Sequence, residues 1–486
     1  MNVNEKLNLT MLCDFYELTM GNGYFEKGYK DRICYFDVFF RKCPDNGGFA
    51  IAAGLEQIVE YITNLHFGPE DIEYLRGRKM FSEGFLEYLA DFRFTGDIWA
   101  VPEGTPIFPR EPIITVRAPA IEAQLIETFL LLSINHQSLI ATKANRICRA
   151  AEGRAVLEFG SRRAQGADAA ILGARATYIG GCAGTACTIS DEIYGVPAGG
   201  TMAHAWVQMF DSEYDAFRAY CEIYPDNPVL LVDTYNTLKS GIPDAIRAFN
   251  DVLKPRGLTK CGIRLDSGDM AYLTREARKM LDEAGWTECK ITVSNSLDEI
   301  IIQDLLLQGA KIDAFGVGER LITARSEPVF GGVYKLVAYE DDQGNVIPKI
   351  KLSENVSKIT TPQYKRLFRL YEQESGKAIG DWLCTYDEDI DSNRNPDGSL
   401  TIFDPDATWK KKTIYSFTAR ELQEPIFLGG KLVYRMPTLE EIQAYCAQQM
   451  DTLWDEVKRF DNPHNYYVDL SQKLWDIKYD LIMHNK

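Results

Sequence analysis

The apolar positions of this chain change period along its length. Up to about residue 120 short apolar runs alternate with turn residues. Cys34 to Phe40 (CYFDVFF) predicts a buried strand, and between Asp97 and Ala118 β-prone runs are separated by Pro102, Gly104, Pro106, Pro109 and Pro112. An α+β module with a β-rich part is expected there. From Ile121 to Ala151 the sequence IEAQLIETFLLLSINHQSLIATKANRICRAA is proline-free and mostly apolar, which predicts a helix too hydrophobic to be exposed all round. We expect it to enter the next domain.

Between about 155 and 340 short β-branched runs alternate with amphipathic segments. The predicted strands are Ala155 to Phe159, Val229 to Val232, Gly262 to Leu265, Lys290 to Val293 and Ile312 to Gly316. Between the third and fourth, Leu273, Ala277, Met280, Leu281 and Ala284 recur at helical spacing, with Gly285 as a C-terminal stop. Leu297 to Leu307 repeats the theme. Such βα units imply a parallel sheet, open or closed, with chemistry at the carboxyl ends of the strands. Those ends read Gly160-Ser-Arg-Arg163, Asp233-Thr-Tyr235, Asp266-Ser-Gly-Asp269, Ser294-Asn295 and Gly316-Val-Gly318. Because so many successive ends are polar or glycine-rich, the closed barrel is preferred, since an open sheet gathers its site at one switch point.

Beyond about 355 the alternation is lost. Residues 385–407 are acidic and turn-rich and are expected to form a surface excursion, whereas the segment from about 437 predicts an amphipathic helix with Leu453, Trp454, Val457 and Phe460 on one face. The fold class expected is therefore α/β, with three regions. These are an N-terminal α+β domain over 1–120, an α/β barrel over 121–355 entered by the 121–151 helix, and a C-terminal segment over 356–486.

Composition narrows the function. With 486 residues, 45% of them apolar, the chain exceeds the size at which one core usually stops growing. Its net charge of −17 argues against general attraction to nucleic acid or anionic membrane, so any phosphate site must be a local basic pocket. The cysteines are scattered without a C-x-x-C pair, which fits reduced thiols in a cytoplasmic enzyme. The start of the chain, MNVNEKLNLTMLCDFYELTM, carries charges where a signal peptide needs an apolar core, and no later segment has eighteen apolar residues in a row. Neither export nor membrane spanning is expected.

Several short motifs carry chemistry. Arg264-Leu-Asp-Ser-Gly-Asp269 places a guanidinium and two carboxylates in one strand-end turn, able to grip phosphate oxygens, bind sugar hydroxyls or hold Mg²⁺ through water; a self-satisfied Arg–Asp turn would read the same. Gly316-Val-Gly318 lets a phosphate approach backbone N–H groups, although many such turns are only tight turns. Phe159-Gly-Ser-Arg-Arg163 offers an aromatic face beside two cations, suited to a flat aromatic acid. GTMAHAW, residues 200–206, holds one of only five histidines; a lone histidine beside an aromatic is commonly a core residue with one hydrogen bond.

Together with DFYELTM (14–20), FDVFFRK (36–42), GFAIAAGLEQ (48–57), EFGSRRAQG (158–166), LVDTYNTLKSG (231–241), GVYKL (332–336) and KLSEN (351–355), these motifs resemble the nicotinate phosphoribosyltransferase family from about 8 to 370. The resemblance implies an irregular parallel α/β barrel flanked by a discontinuous domain, in a homodimer whose subunits share each active site. It implies that nicotinate and phosphoribosyl pyrophosphate give nicotinate mononucleotide and pyrophosphate in NAD salvage. ATP would be a co-substrate hydrolysed through a phosphohistidine, and Mg²⁺ the metal.

On this resemblance His204 is the phosphorylated nucleophile and Asp233 the carboxylate that orients it. Arg264 and Asp266 would address the phosphoribosyl group and its metal, with Asp269 a further metal contact through water. Ser294, Asn295, Gly316 and Gly318 would hold the 5′-phosphate. Phe159 and Tyr16 would sandwich the pyridine, Tyr16 coming from the neighbouring subunit. Arg162 and Arg163 would lie near the carboxylate or the phosphates, Thr201 would contact substrate, and Arg41 and Lys335 would meet pyrophosphate or ATP phosphates.

Three positions depart from the family pattern: Ala205 where many relatives are expected to carry Ser, Glu319 directly after the phosphate glycines, and Gln363 in place of a glycine. The sister nicotinamide phosphoribosyltransferase is the alternative. It carries an acidic residue just after the histidine to bind the amide, and Ala205 removes that acceptor. An isomerase- or aldolase-type barrel would need a Lys or Glu at a strand end, and none of the five ends supplies one.

Overall fold

The computed structural model describes residues 8–355 and 358–484. The chain forms two units: a discontinuous one whose first segment ends at Leu139 and which resumes at Val329, and a continuous one, Ile140–Pro328. These borders differ from those suggested by the sequence pattern at 120/121 and 355/356, the second of which has residue 356, outside the described residues, on its far side. The reason is pairing over a long sequence distance. Val333–Glu340 is antiparallel to Ile33–Phe39, with Cys34 opposite Tyr339 and Phe39 opposite Val333, so this segment belongs to the N-terminal sheet.

That sheet has seven strands, with Ile33–Phe39 in its interior between Val333–Glu340 and Ile114–Pro119. An interior strand covered on both faces reads as a continuous apolar run, which is what CYFDVFF shows. The one acid in it, Asp37, is buried and meets Lys365 Nζ at 2.6 Å. Phe36 stacks on Tyr334 with ring centroids 4.6 Å apart. The helix expected over 121–151 is two helices, Ala120–Leu125 and Glu127–Ala150, because Ile126 (φ −100°, ψ −3°) leaves helical geometry.

The C-terminal part is more ordered than its composition suggests. Within the acidic stretch 385–407, Leu400–Phe403 pairs with Lys411–Ile414, and Ile390, Leu400, Ile402 and Ile414 join Trp382 in a buried cluster. The stretch is therefore not merely a surface excursion. The expected apolar helical face at 453–460 is also absent: the helix Leu439–Thr452 stops at Leu453, whose ψ of 144° is extended, and only Leu453 and Val457 of the four are buried.

The continuous unit is the βα-repeat region. All five predicted strands are present, as Ala155–Glu158, Val229–Leu231, Gly262–Leu265, Lys290–Ser294 and Ala314–Val317, and a sixth, Gly184–Thr185, joins them. Asp269 and Asp298 cap the helices Met270–Glu283 and Glu299–Leu307 with their side chains, and Gly285 (φ 84°) follows the first. Ile263, Leu265, Ile291, Val293, Phe315 and Val317 are fully buried in the sheet.

All six strands are parallel, and the first in the chain pairs with the last, Glu158 opposite Val317, as in a ring. The expected closed barrel is nevertheless not observed. Among the described residues the edge strands Gly184–Thr185 and Val229–Leu231 share no ladder. Thr185 instead gives its N–H to Pro197 O (3.0 Å) and accepts from Gly199 N–H (2.8 Å), so residues 197–199 occupy the edge that closure would need. No helix among the described residues is long and apolar enough to cross a membrane.

Candidate active site

In a parallel sheet the carboxyl ends of the strands share one rim, and here the rim collects the polar residues of the βα turns. Arg264, in the Gly262–Leu265 strand, is its hub. Its Nε donates to Ser294 Oγ (2.9 Å), Nη1 to Thr201 Oγ1 (3.2 Å) and Nη2 to Asp266 Oδ1 (3.0 Å). Ser294 Oγ also donates to Asp266 Oδ1. The guanidinium carbon lies 5.3 Å from the centre of the Phe159 ring. The network gives the Arg–Asp turn internal satisfaction while leaving Asp266 Oδ2 without a hydrogen bond from the described residues.

Beside this network lies a cavity of about 340 Å³ lined by Arg162, Thr201, His204, Arg264 and Asp266, with Met202 and Leu231 as apolar wall. A second cavity of about 250 Å³, lined by Phe159, Ser161, Arg162 and Arg264, shares two of those residues. Arg162 faces both, whereas Arg163 lines neither.

His204 opens the short helix His204–Gln208, which is anchored by Trp206 through a ring N–H to Ala216 O bond of 3.1 Å. The His204 side chain is 39% exposed, so it is not a core histidine. Its Nδ1 is 3.1 Å from Thr234 Oγ1, and its Nε2 is 3.9 Å from Asp233 Oδ1, beyond hydrogen-bond length. Asp233 Oδ2 accepts from Asp266 N–H (2.9 Å) and Ser267 Oγ (2.6 Å), while the buried Oδ1 has no hydrogen-bond partner.

The glycines at the rim have a packing role. A Cβ on Gly316 would lie 2.5 Å from Phe159 Cδ2, one on Gly318 would meet Phe159 O at 3.0 Å, and one on Gly160 would meet Gly318 O at 2.7 Å. The Phe159 and Gly316-Val-Gly318 turns therefore interlock. Asn295 (φ 87°) and Ser296 (φ 54°) follow the Lys290–Ser294 strand in the left-handed region, a conformation uncommon for non-glycine residues. Glu319, which would be awkward beside a phosphate, pairs with Arg325 at 2.9 Å. Gln363 has a φ of 83°, which a glycine adopts without strain.

Asp269 is engaged as a helix cap, its Oδ1 accepting from Tyr272 N–H at 3.0 Å. No group of three or more His, Cys, Asp or Glu side chains among the described residues is arranged to hold a metal. Glu158, buried beneath the rim, takes hydrogen bonds from Thr185 Oγ1 (2.6 Å) and Gly160 N–H, and burial raises its pKa. Sequence reasoning missed Glu158, Thr185, Thr234 and Ser267. Thr234 and Ser267 stand inside recognised motifs, but nothing in their spacing marks them as partners of His204 and Asp233.

Tyr16, Arg41 and Lys335 belong to the discontinuous unit. The Tyr16 ring is 43% exposed, and its phenol pKa is raised by burial and by the Glu127 carboxylate. Arg41 Nε is buried without a hydrogen-bond partner. Lys335 donates to Tyr334 O at 2.6 Å, and burial followed by the like charges of Lys351 and Arg41 pulls its pKa down against the pull of Glu127. Lys335 Nζ also lies 3.8 Å from Glu127 Oε1, so a carboxylate already stands beside it.

Known proteins resemble this chain over most of its length. The family models described as nicotinate phosphoribosyltransferase (NAPRTase) N-terminal domain and nicotinate phosphoribosyltransferase C-terminal domain match residues 11–135 and 364–478. The chain is 44% identical over 473 residues to the nicotinate phosphoribosyltransferase of Bacillus subtilis, covering 97% of this chain and 94% of that protein. The crystal structure of human nicotinic acid phosphoribosyltransferase superposes with a TM-score of 0.83 at 28% identity, covering 96% of this chain and 99% of the human one. The nicotinate-nucleotide pyrophosphorylase of Pyrococcus furiosus shares the fold at a TM-score of 0.69 and 24% identity, over 93% and 98% of the two chains.

Proposed function

This chain belongs to the nicotinate phosphoribosyltransferase family, and on that premise we propose that it joins nicotinate to phosphoribosyl pyrophosphate, with ATP hydrolysis coupled through a phosphohistidine at His204. The products are nicotinate mononucleotide and pyrophosphate, in NAD salvage. The observation that carries the reading is the rim network: Arg264, Asp266, Ser294 and Thr201 bonded together beside the Phe159 ring, with His204 on the same cavity.

Displacement at the anomeric carbon builds positive character on the ribose while negative charge grows on pyrophosphate. Fixed cations and dipoles stabilise that separation without reorganising. Arg264, held by three side chains, is such a preorganised cation. Phe159 presents a face for the pyridine, and Arg162, which faces both cavities, is placed for the carboxylate. Ala205 in place of an acidic residue favours the acid over nicotinamide. Ser294, Asn295 and the backbone of Gly316 and Gly318 are the candidate 5′-phosphate contacts.

Mg²⁺ fits Asp266, whose outer oxygen is unengaged, because this ion is commonly held by one or two carboxylates plus substrate phosphates; Asp269, used as a cap, fits less well. Bound there, the ion would neutralise charge on the departing pyrophosphate. The exposed Tyr16 ring supports a homodimer with shared sites, in which Tyr16 completes the pyridine sandwich of the neighbouring subunit, and Arg41 and Lys335 are the candidate contacts to pyrophosphate or ATP phosphates. Eleven cysteines scattered without a C-x-x-C pair fit a reducing, cytoplasmic setting.

The test is to incubate the purified protein with nicotinate, phosphoribosyl pyrophosphate and Mg²⁺, with and without ATP, and to quantify the mononucleotide for wild type and His204→Ala. The expected result is ATP acceleration that the variant lacks. No product from nicotinate, or equal turnover of nicotinamide, refutes the substrate assignment.

A further inference from the structure

The His204 ring stands between two side chains, and for a neutral ring one tautomer suits both. Asp233 Oδ1 is buried, lacks a hydrogen-bond partner and faces Nε2 at 3.9 Å, while Oδ2 is already occupied by Asp266 N–H and Ser267 Oγ. An acceptor so placed calls for an N–H on Nε2, because a ring lone pair facing a carboxylate oxygen is repelled. A neutral ring with its proton on Nε2 has its lone pair on Nδ1. Thr234 Oγ1, 3.1 Å from Nδ1, must then be the donor.

We propose that Thr234 is a positioning residue that donates its hydroxyl hydrogen to the His204 Nδ1 lone pair and, with Asp233, holds the ring in its Nε2–H tautomer ready to attack. The kinetic part of this inference rests on the phosphohistidine reading above; the tautomer part does not. In the transfer step the Nδ1 lone pair forms the N–P bond while the bond from the γ-phosphorus to the bridging oxygen breaks, and its electrons leave on ADP. No proton is lost from the ring, so Nε2–H remains directed at Asp233 and meets the positive charge that the ring acquires. Thr234 must release Nδ1 for this step, which leaves its hydroxyl beside the incoming phosphoryl oxygens as a donor.

The test uses the full chain labelled with ¹⁵N-histidine, the His204 signals being identified by their loss in His204→Ala, at a pH about two units above the ordinary histidine pKa of about 6.5. Wild type is expected to show the Nε2–H form, Thr234→Val a mixture of tautomers, and Thr234→Ser the wild-type form. Phosphorylation of His204 from γ-labelled ATP, followed by rapid quench, is expected to slow about tenfold in Thr234→Val, as for one lost hydrogen bond to the incoming phosphoryl oxygens, and to recover in Thr234→Ser. An Nδ1–H tautomer in wild type, or a Thr234→Val protein with unchanged ring signals or unchanged phosphorylation, overturns the proposal. A wild-type protein that takes no label from ATP refutes the phosphohistidine reading, and the ring signals still decide the role of Thr234.

Discussion

Replacing Gly316 with alanine separates two explanations of the same glycine. The new Cβ would lie 2.5 and 2.6 Å from Phe159 Cδ2 and Cε2 and 3.3 Å from Ser294 Cβ. Carbon atoms ordinarily meet at about 3.5–4.0 Å, so the overlap with the ring edge is about 1 Å. The Gly316 backbone is tied into the sheet between Ser294 and Leu157 and cannot yield freely. The Phe159 ring must therefore swing into the cavity that it lines. Overpacking of this kind costs about 1–3 kcal/mol, and alanine in place of a strand glycine offsets about 0.5–1 kcal/mol of it. Because the ring moves into the space assigned to the pyridine, most of the cost is expected in binding. At about 1.4 kcal/mol per factor of ten, the KM for nicotinate should rise about tenfold. Initial rates with varied nicotinate at saturating phosphoribosyl pyrophosphate, and the converse, measure this. A KM for nicotinate within about twofold of wild type refutes the steric argument. If only the KM for phosphoribosyl pyrophosphate rises, the glycine serves a phosphate instead.

Arg162→Ala should raise the KM for nicotinate by about 10–100-fold, the worth of a charged hydrogen bond, whereas Arg163→Ala, whose side chain lines neither cavity, should change it by less than about threefold. Arg369 is fully buried and grips fully buried Asp381 through Nη2–Oδ2 (2.6 Å) and Nε–Oδ1 (2.8 Å) beside buried Glu111. Arg369→Met leaves these acids without their cation and should lower stability in urea unfolding by about 3–5 kcal/mol. Burial raises the Glu17 pKa to about 7, against hydrogen bonds from Thr128 that lower it, with Glu127 raising it further. A carboxyl with a raised folded pKa binds more protons folded than unfolded, so its effect on stability is neutral below the unfolded value and grows unfavourable as pH rises towards 7. Glu17→Gln should therefore gain stability over wild type between about pH 4.5 and 7, by up to about 3 kcal/mol, in denaturant titrations at each pH; a pH-independent difference contradicts the assignment.

Much of the continuous unit is legible in the sequence alone. Its five main strands follow from β-branched runs, its helices from apolar spacing and from the caps Asp269 and Asp298, and its rim from the polar turns that end the strands. These signals are local: a cap or an amphipathic stripe is written within a few residues of where it acts. What depends on distant parts of the chain was not legible. Gly184–Thr185 is too short to have a period, and the 333–340 strand gives no sign that its partner lies near residue 34. The strand pairing of Leu400–Phe403, within the acidic 385–407 stretch, with Lys411–Ile414 and the early stop at Leu453 are likewise decided by what packs against them. At the site, the sequence by itself determined which residue types stand at the rim and which family they match. Only the tertiary structure decided that Gly316 is cleared for an aromatic ring, that Arg162 rather than Arg163 faces the cavities, and that Thr234 meets His204. Side-chain contacts at a few ångströms depend on how separate strands are brought into register, and a linear pattern does not contain that information.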